Sequence, residues 1–382
     1  LIKLMMIPDS WSKRSKTVPK NHQDLFNFLN STIEPWDGPA AICATDAKWV
    51  LASSDRNGLR PLRYSITSDD LFFAGSETGM IKIPEDKIIE KGKLGPGQII
   101  AIDLKKGKLF KDKEIKDLLA RDYKKYNKQI IDLEKKISSS DEKPNFLNEE
   151  LRKRQYLSGL SIEDLELILH PMAEEGKEAS GSMGDDTPVA VLSSHFRPVS
   201  HYFRQNFSQV TNPPIDSLRE NKVMSLKTRF GNLGNILDFD NLTEENIYVL
   251  DSPVLTNLQF KKFKKFFTKK VKVIDCTFDI EKSLKERIEL IREEAETAVR
   301  QGSTCLVLSD KNISNKKASI PSILTVGAVH SHLVKHGLRG YCSLNVECSD
   351  AMDTHSFAIL IGVGATTVNP YLAIDSIYQR FE

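Results

Sequence analysis

The first third of the chain alternates short apolar runs with turn-forming residues. Apolar runs of about five residues between polar turns are typical of antiparallel strands. The Asn57-Gly58 pair lies between the second and third runs, and glycine supplies the positive φ that a tight turn requires. The pattern predicts a β-rich region with a tight turn at Gly58, and strands at residues 40–45, 49–53, 63–67, 71–76 and 98–103.

The next stretch, from Lys111 onward, is richer in charged residues. Apolar residues recur at helical intervals between Ile115 and Leu133, and a polar run at 138–144 interrupts the pattern. Acidic residues lie among the lysines, so a solvated helix face is a better interpretation than a nucleic-acid surface. We therefore predict a charged helical connector over residues 111–160.

The last third of the chain repeats strand and helix patterns. Strands are predicted at 271–275 and 305–309, with an apolar helix stripe from Leu284 to Ala298 between them. Repeated β-α units with short links form a parallel sheet with covering helices. Ligands on such sheets gather at the carboxyl ends of the strands. Four polar residues are nominated on this ground, although helix capping and loop hydrogen bonding are the favoured interpretation: Asp275, Asp310, Glu347 and Asn369.

Composition limits the classes of protein to consider. The chain has 382 residues, of which 40% are hydrophobic and 28% charged, as expected of a globular protein with two or three domains. A net charge of +2 argues against nucleic-acid and membrane partners, and no apolar run approaches the roughly 20 residues of a membrane helix. The five cysteines lack CxxC spacing, which favours free thiols in a reducing compartment and a cytoplasmic location.

Two groups of residues suggest a metal site. Asp185 and Asp186 could ligate Mg²⁺ through carboxylate oxygens, but capping of a turn or a domain contact is favoured. Asn212 precedes two prolines that fix an extended backbone nearby. His332 and His336 lie one helical turn apart, yet no neighbouring acidic residue completes a metal motif, so a packed helix is favoured. We predict no metal in this chain.

Four motifs in the first part of the chain resemble one enzyme domain. They are Trp-Asp-Gly-Pro-Ala-Ala at 36–41, Asp-Arg-Asn-Gly-Leu-Arg-Pro-Leu-Arg-Tyr at 55–64, Gly-Ser-Glu-Thr-Gly at 75–79 and Gly-Pro-Gly at 95–97. In this order they resemble the later half of a class II glutamine amidotransferase domain, as carried by glutamate synthase large subunits. The resemblance implies a partial N-terminal-nucleophile (αββα) fold with two stacked antiparallel sheets, whose nucleophile is an N-terminal cysteine.

The second part of the chain resembles the central domain of glutamate synthase. The resemblance is collinear and lies in Met-Ala-Glu-Glu-Gly at 172–176 and in the segments 181–193, 202–220, 223–226, 250–257 and 364–373. It implies an α/β and α+β multidomain architecture, with an α/β central domain built on a mainly parallel sheet. The implied domains are the C-terminal part of the amidotransferase domain over 1–110, the connector over 111–160 and a central domain, truncated at its C-terminus, over 161–382.

The resemblance also bears on the catalytic residues. Because the chain starts at Leu1 and stops at Glu382 within a predicted helix, we expect both ends to be cut from a longer chain, with the nucleophilic cysteine upstream. Cys43 is expected to be a core residue, and the segment alone is expected to be inactive. Residues expected to support the amidotransferase fold are Asn57, Gly58, Arg60 and Glu77. Candidates for an interface or an ammonia tunnel are Asp185, Asp186, Asn212 and Asp216.

The activity implied by the resemblance is the conversion of L-glutamine and 2-oxoglutarate into two molecules of L-glutamate. FMN and an iron–sulfur cluster are implied for the full-length enzyme, and no cofactor is expected to bind this segment. The implied partners are the remaining domains of the same polypeptide and an electron donor, either ferredoxin or an NADPH-linked small subunit. Two alternatives remain open: a non-catalytic α/β scaffold or binding module, and an independent α/β enzyme with a metal at Asp185 and Asp186.

Overall fold

The computed structural model describes residues 18–29, 38–55, 57–121, 128–138, 143–178, 190–194, 197–204, 206, 224–236, 238 and 241–381. Its internal contacts divide the chain into two compact units, residues 1–129 and residues 130–382. No helix in these described ranges is both long enough and apolar enough to span a membrane.

The first unit contains two antiparallel sheets. The elements in chain order are helix α1 (Lys20–Leu29), strands β1 (Ala41–Thr45), β2 (Trp49–Ser54), β3 (Arg63–Thr67), β4 (Phe72–Gly75), β5 (Ile88–Lys93), β6 (Ile99–Asp103) and β7 (Lys108–Phe110), and helix α2 (Asp112–Leu119). One sheet has the strand order β1-β2-β6-β7 and the other the order β4-β3-β5. Ala52 and Ile100 of the first sheet pack in one apolar cluster with Tyr64 and Phe72 of the second. The two sheets therefore share a core.

All five strands predicted in this region are present, and two further strands were missed. The missed strands are β5, where apolar residues alternate with charged ones, and β7, which has only three residues. Helix α1 was also not predicted, although its apolar face, with Leu25, Phe28 and Leu29, is fully buried.

The second unit is a mixed α/β structure. Its elements in chain order are β8 (Gln129–Asp132), α3 (Glu134–Ile137), α4 (Asn148–Leu157), a π-helical turn (Asp164–Leu169) that runs into α5 (His170–Glu175), β9 (Thr228–Phe230), β10 (Asn246–Leu250), α6 (Asn257–Phe266), β11 (Val271–Asp275), β12 (Thr277–Asp279), α7 (Leu284–Arg300), β13 (Cys305–Ser309), β14 (Lys317–Ser319), α8 (Ser322–Lys335), β15 (Ser343–Glu347), α9 (Thr354–Gly362), β16 (Thr367–Asn369) and α10 (Tyr371–Phe381). The predicted parallel sheet is confirmed, with the order β11-β13-β15-β16 and parallel pairing throughout.

Strand β13 lies at the centre of this unit and is buried along its whole length. Because successive side chains of a strand point to opposite faces, Leu306 and Leu308 enter the cluster formed with helices α7, α8 and α9. Cys305 and Val307 enter a second cluster on the other face, which is rich in aromatic residues. The members of that aromatic cluster come from β9, β10 and α6 and from the turn after α6: Phe230, Tyr248, Phe260, Phe263 and Phe267.

The structure differs from the prediction of a continuous helical pattern between Ile115 and Leu133. Helix α2 ends at Leu119, and residues 129–132 form strand β8 beside β10. Ile130 and Ile131 are β-branched and pack well on a pleated surface, and the Leu133 N–H donates to the Val249 carbonyl at 2.9 Å. Pairing with a distant strand thus overrides the local helical spacing.

Candidate functional site

The tight turn of the first unit is organised by a buried carboxylate. Asp55 is buried at the end of β2, and its carboxylate accepts the backbone N–H groups of Asn57 at 3.1 Å, Leu59 at 3.0 Å and Arg60 at 3.1 Å. Burial alone would raise the pKa of Asp55, but these backbone donors, with Ala40, outweigh burial and leave the pKa lowered. A charged Asp55 therefore holds the turn in one conformation.

This turn packs against a second one. Gly58 has φ +62°, as predicted, and a Cβ added there would lie 3.1 Å from Pro96. The Gly97 N–H donates to the Asp55 carbonyl oxygen at 2.9 Å. The motifs at 55–64 and 95–97, separated in sequence, thus meet in space. The side chains of Asn57, Arg60 and Glu77 are exposed. The structure places Asn57, Gly58 and Arg60 in one turn, whereas Glu77 lies after β4.

The prediction that Cys43 is a core residue was wrong. Cys43 is exposed because β1 is the edge strand of its sheet and exposes every second residue. The other four cysteines are buried. Burial raises the pKa of the four buried thiols, to about 11 for Cys342 and about 12 for Cys305, and partial desolvation by neighbouring atoms raises the pKa of Cys43. Since the thiolate is the nucleophilic form, none of the five is activated for attack at neutral pH.

The parallel register brings the four nominated polar residues together at the carboxyl edge of the sheet. Asp275 pairs with Ser309, Ser309 with Glu347, and Glu347 with Asn369. Asp310 follows β13, and its N–H donates to the Glu347 carbonyl oxygen at 3.2 Å. The prediction that these residues lie at the carboxyl ends of the strands is therefore confirmed, and the register makes them neighbours.

Glu347 is the centre of an ion-pair network. Its buried carboxylate contacts the Nζ atoms of Lys264 at 2.9 Å and Lys311 at 3.0 Å and accepts the Ser309 hydroxyl at 2.7 Å. Burial on its own would raise the pKa of Glu347, but the two lysines and this hydroxyl keep the pKa below its usual value. Glu347 is therefore charged at neutral pH, and it holds α6 and the loop after β13 to the sheet.

Asp310 lies beside Glu347 but in a different electrostatic environment. Only 3% of its surface is exposed, and one carboxylate oxygen accepts the Ser349 N–H at 3.0 Å, the Ser349 hydroxyl at 2.7 Å and the Ser319 hydroxyl at 2.9 Å. Burial, with a smaller effect from the nearby Asp350 carboxylate, raises the pKa of Asp310 to about 6. The buried Tyr371 hydroxyl is close enough for Asp310 to raise its pKa further, after burial itself.

Asn257 and Asp375 extend the network, and sequence reasoning missed both. The Asn257 side-chain amide donates to the Asp375 carboxylate at 2.7 Å, and the Asn369 amide donates to the Asn257 oxygen at 3.0 Å. Asp375 also accepts the backbone N–H groups of Asn145 at 2.9 Å and Phe146 at 3.1 Å. An acidic residue on the buried face of α10 was the available sequence signal. These bonds agree with the loop hydrogen bonding that the sequence favoured for the residues at the sheet edge.

The histidine pair at the end of α8, with His336 directly after the helix, meets an acidic residue that the sequence spacing did not indicate. The Glu296 carboxylate on α7 lies 2.6 Å from His332 Nε2 and 3.9 Å from His336 Nδ1. Arg300 pairs with the same carboxylate at 2.8 Å, and Arg292 contacts His332 Nδ1 at 3.2 Å. The carboxylate thus links α7 to α8 through His332, whereas its pair with Arg300 lies within α7. The candidate interface residues fall outside the described residues: Asp185, Asp186, Asn212 and Asp216.

Comparison with known families accounts for both units. Residues 2–128 match the model of class-II glutamine amidotransferases, a domain class with an N-terminal nucleophile fold, and residues 153–382 match the model of the glutamate synthase central domain. The polypeptide therefore combines an amidotransferase domain with a central domain. The chain belongs to the glutamate synthase family, which confirms the resemblance and the mixed α/β fold class predicted from the sequence.

Named relatives give the same result over the whole chain. The glutamate synthase [NADPH] large chain of Azospirillum brasilense is 52% identical, covering 100% of this chain and 26% of the relative. The corresponding large chain of Bacillus subtilis is 39% identical over 99% of this chain and 25% of the relative. The chloroplastic ferredoxin-dependent glutamate synthase 2 of Arabidopsis thaliana is 38% identical over 98% and 24%. The chain therefore spans about a quarter of the length of these relatives.

Proposed function

We propose that this chain is an internal part of a glutamate synthase large subunit. In that role it contributes to an enzyme that converts L-glutamine and 2-oxoglutarate, with reducing equivalents, into two molecules of L-glutamate. The observation that carries the proposal is the collinear match of both family models, together with identity to glutamate synthases along the whole chain. The metabolic processes proposed for this enzyme are therefore ammonia assimilation and glutamate biosynthesis.

Within that enzyme, the role proposed for this segment is structural. It holds the glutaminase and synthase sites in register and lines part of the path that ammonia follows between them. Two observations support this role: no cysteine of the chain is an activated nucleophile, and the polar residues at the sheet edge are engaged in bonds between elements. Asn57, Gly58, Arg60 and Glu77 are proposed to support the amidotransferase fold around the turn at Asp55.

FMN and the iron–sulfur cluster are proposed to bind elsewhere in the full polypeptide. An iron–sulfur cluster requires several cysteine thiolates around one centre. All five cysteines of this chain lie in described residues, and the one group of three metal-ligating side chains found there contains no cysteine. The electron donor is ferredoxin or an NADPH-linked small subunit, since relatives named for each donor resemble this chain. A cytoplasmic location is proposed on composition, although some relatives are chloroplastic.

The interface residues provide the test. Asp185, Asp186, Asn212 and Asp216 are proposed to join the two centres and line the ammonia path. Alanine at each of these positions in the full-length enzyme should leave glutamine hydrolysis largely intact, lower glutamate formation and release free ammonia. The measurement is the ratio of glutamine consumed to glutamate formed, with ammonia assayed in parallel. Glu281→Ala, on the exposed turn after β12, is the matched acidic control and should leave the ratio unchanged.

Two outcomes would contradict this assignment. An unchanged ratio in all four variants would remove these residues from the ammonia path. A parallel loss of both rates together with unfolding would reduce them to structural residues. A full-length protein that forms no glutamate from glutamine and 2-oxoglutarate would instead favour the non-catalytic scaffold alternative.

A further inference from the structure

A cavity of about 350 Å³ lies at the amino edge of the parallel sheet, opposite the edge that carries Asp310. Its wall is formed by strand β9, by the short helical turn at 339–341 and by the residues immediately before β15 and β16. All of these elements belong to the second unit. The cavity is therefore a feature of one folded body and not of the boundary between the two units.

The described lining of the cavity carries two positive charges and no negative one. Arg229 on β9 and Arg339 on the turn both line it, whereas aspartate and glutamate are missing from the described lining residues. Within the described residues, Arg339 donates only to neutral groups: the carbonyls of Cys342 at 2.6 Å and Gly364 at 2.8 Å, His330 Nδ1 at 3.2 Å and the Thr366 hydroxyl at 3.5 Å. These acceptors hold the side chain in position but leave its charge uncompensated.

Arg229 differs from Arg339 in having no polar partner among the described residues. It is half-buried, and among the described residues its side chain has neither a hydrogen bond nor an ion pair. Burial lowers the pKa of Arg229, and no charge in the part of the chain that the structure describes offsets that effect. An arginine does not release its proton in a protein, so it cannot avoid this cost by becoming neutral. A charge that is partly withdrawn from water without a partner is destabilising unless a counter-charge arrives.

The wall of the cavity is preformed. The Gly234 N–H donates to the Gly340 carbonyl at 2.9 Å, and a Cβ added at Gly340 would lie 2.4 Å from the Gly234 carbonyl oxygen. Gly234 also has φ +80°, a conformation that favours glycine. The two backbones therefore meet at a distance that only glycine allows, which fixes the turn carrying Arg339. A binding site with fixed groups loses little entropy when its ligand binds.

We propose that this cavity binds an oxyanion, namely the carboxylate or phosphate of a small organic molecule, with Arg229 as its principal cation and Arg339 as the second. A guanidinium presents a planar fork of donors that matches both groups in bidentate geometry. The Thr366 hydroxyl accepts from the Leu344 N–H at 3.2 Å and from Arg339 at 3.5 Å, and its own hydrogen has no acceptor among the described residues, so it is available to a ligand. The volume lies at the lower end of the range of about 300–1,000 Å³ for small-molecule pockets, so it accommodates more than a single ion.

Calorimetric titration of the chain tests this site. Succinate and inorganic phosphate are the probes, used at low ionic strength because salt screens such contacts. The wild-type chain should bind at least one probe saturably. Arg229→Gln should weaken that binding at least tenfold, and Arg229→Lys should give an intermediate affinity because it keeps the charge and loses the fork. Arg300→Gln is the matched control, since Arg300 pairs with Glu296 and does not line the cavity.

Stability provides a second readout that a merely structural arginine would not give. Without a probe, Arg229→Gln should melt at the same or a higher temperature than the wild type, because the substitution removes an uncompensated charge. The effective probe should raise the melting temperature of the wild type and leave that of Arg229→Gln unchanged. Failure of both probes to bind the wild type, or equal binding by Arg229→Gln, would overturn the proposal.

The full-length polypeptide distinguishes two sources of the oxyanion. If it binds the probe as the chain does, the natural ligand is a free small molecule. If the chain binds and the full-length polypeptide does not, an acidic side chain from elsewhere in that polypeptide occupies the pocket, and the assignment of a small-molecule ligand is overturned. In that case Arg229→Gln should lower the melting temperature of the full-length protein while leaving that of the chain unchanged or raised.

Discussion

Replacing Asp310 with asparagine should remove a pH dependence from the stability of the second unit. Asp310 is almost fully buried, and burial, helped by Asp350, raises its pKa to about 6. Its three hydrogen bonds are all accepted by one carboxylate oxygen, from Ser319 and Ser349. An asparagine oxygen can accept the same three bonds. The substitution therefore removes the titratable group while retaining its contacts.

The size and sign of the effect follow from proton linkage. The pKa of Asp310 rises from 3.8 to about 6, and each pKa unit corresponds to about 1.4 kcal/mol. The folded state holds this proton more tightly than the unfolded state. The resulting stability, about 3 kcal/mol, is fully present below about pH 4 and is lost as the pH rises through about 6. At pH 8, Asp310→Asn should therefore be more stable than the wild type by up to about 3 kcal/mol, and at pH 4 the two should be equal.

Urea unfolding between pH 4 and pH 8, followed by circular dichroism, measures this difference. The Asp375 carboxyl titrates in the same range because burial raises its pKa to about 6. Only the difference between wild type and variant therefore isolates Asp310. All three tryptophans lie within residues 1–129, so the fluorescence transition reports on the first unit and should not change. A stability difference that stays constant with pH, or that favours the wild type as pH rises, would refute the reasoning.

Three further predictions follow from contacts described above. Gly58→Ala should lower the free energy of unfolding, followed by tryptophan fluorescence, by about 1 kcal/mol more than Gly107→Ala does. Both glycines have positive φ, but only Gly58 touches a neighbouring turn. Equal losses would contradict this. Glu347→Gln should lower the free energy of unfolding in urea by about 3–5 kcal/mol, because it leaves Lys264 and Lys311 unpaired. A loss below about 1 kcal/mol would argue against that network. The 382-residue chain should not hydrolyse glutamine in a glutamate-release assay, since all five thiol pKa values are raised; glutamate release would disprove it.

Local periodicity predicted most of the regular structure because it records which faces are buried. The five β-strands of the first unit and the parallel sheet of the second all carry that signal. It failed where pairing with a distant segment decides the conformation. Ile130 and Ile131 fit a helical spacing, yet they form a strand because β10 lies beside them. Strand β7 has only three residues, too few to show any period.

For the candidate sites too, local patterns could be predicted, whereas contacts with distant segments could not. The carboxyl edge of the sheet could be predicted, because parallel topology determines which strand ends become neighbours. The partners of its polar residues could not be predicted. Asp375 accepts hydrogen bonds from backbone groups near residue 145, 230 positions away along the chain. The presence of Arg229 and Arg339 in the lining of one cavity likewise depends on the tertiary fold, and neither residue lies in a recognisable motif.

Strand β13 limits where the second unit can be divided. Leu306 and Leu308 belong to one core, and Cys305 and Val307 belong to the aromatic core, so a single strand serves both. A polypeptide beginning at residue 271 would retain the whole parallel sheet but lose β9, β10 and α6, which cover one face of it. The exposed apolar face would make that shorter polypeptide prone to aggregation. The strands before residue 271 and the sheet after it therefore form one evolutionary unit, which recombination can transfer between proteins only as a whole.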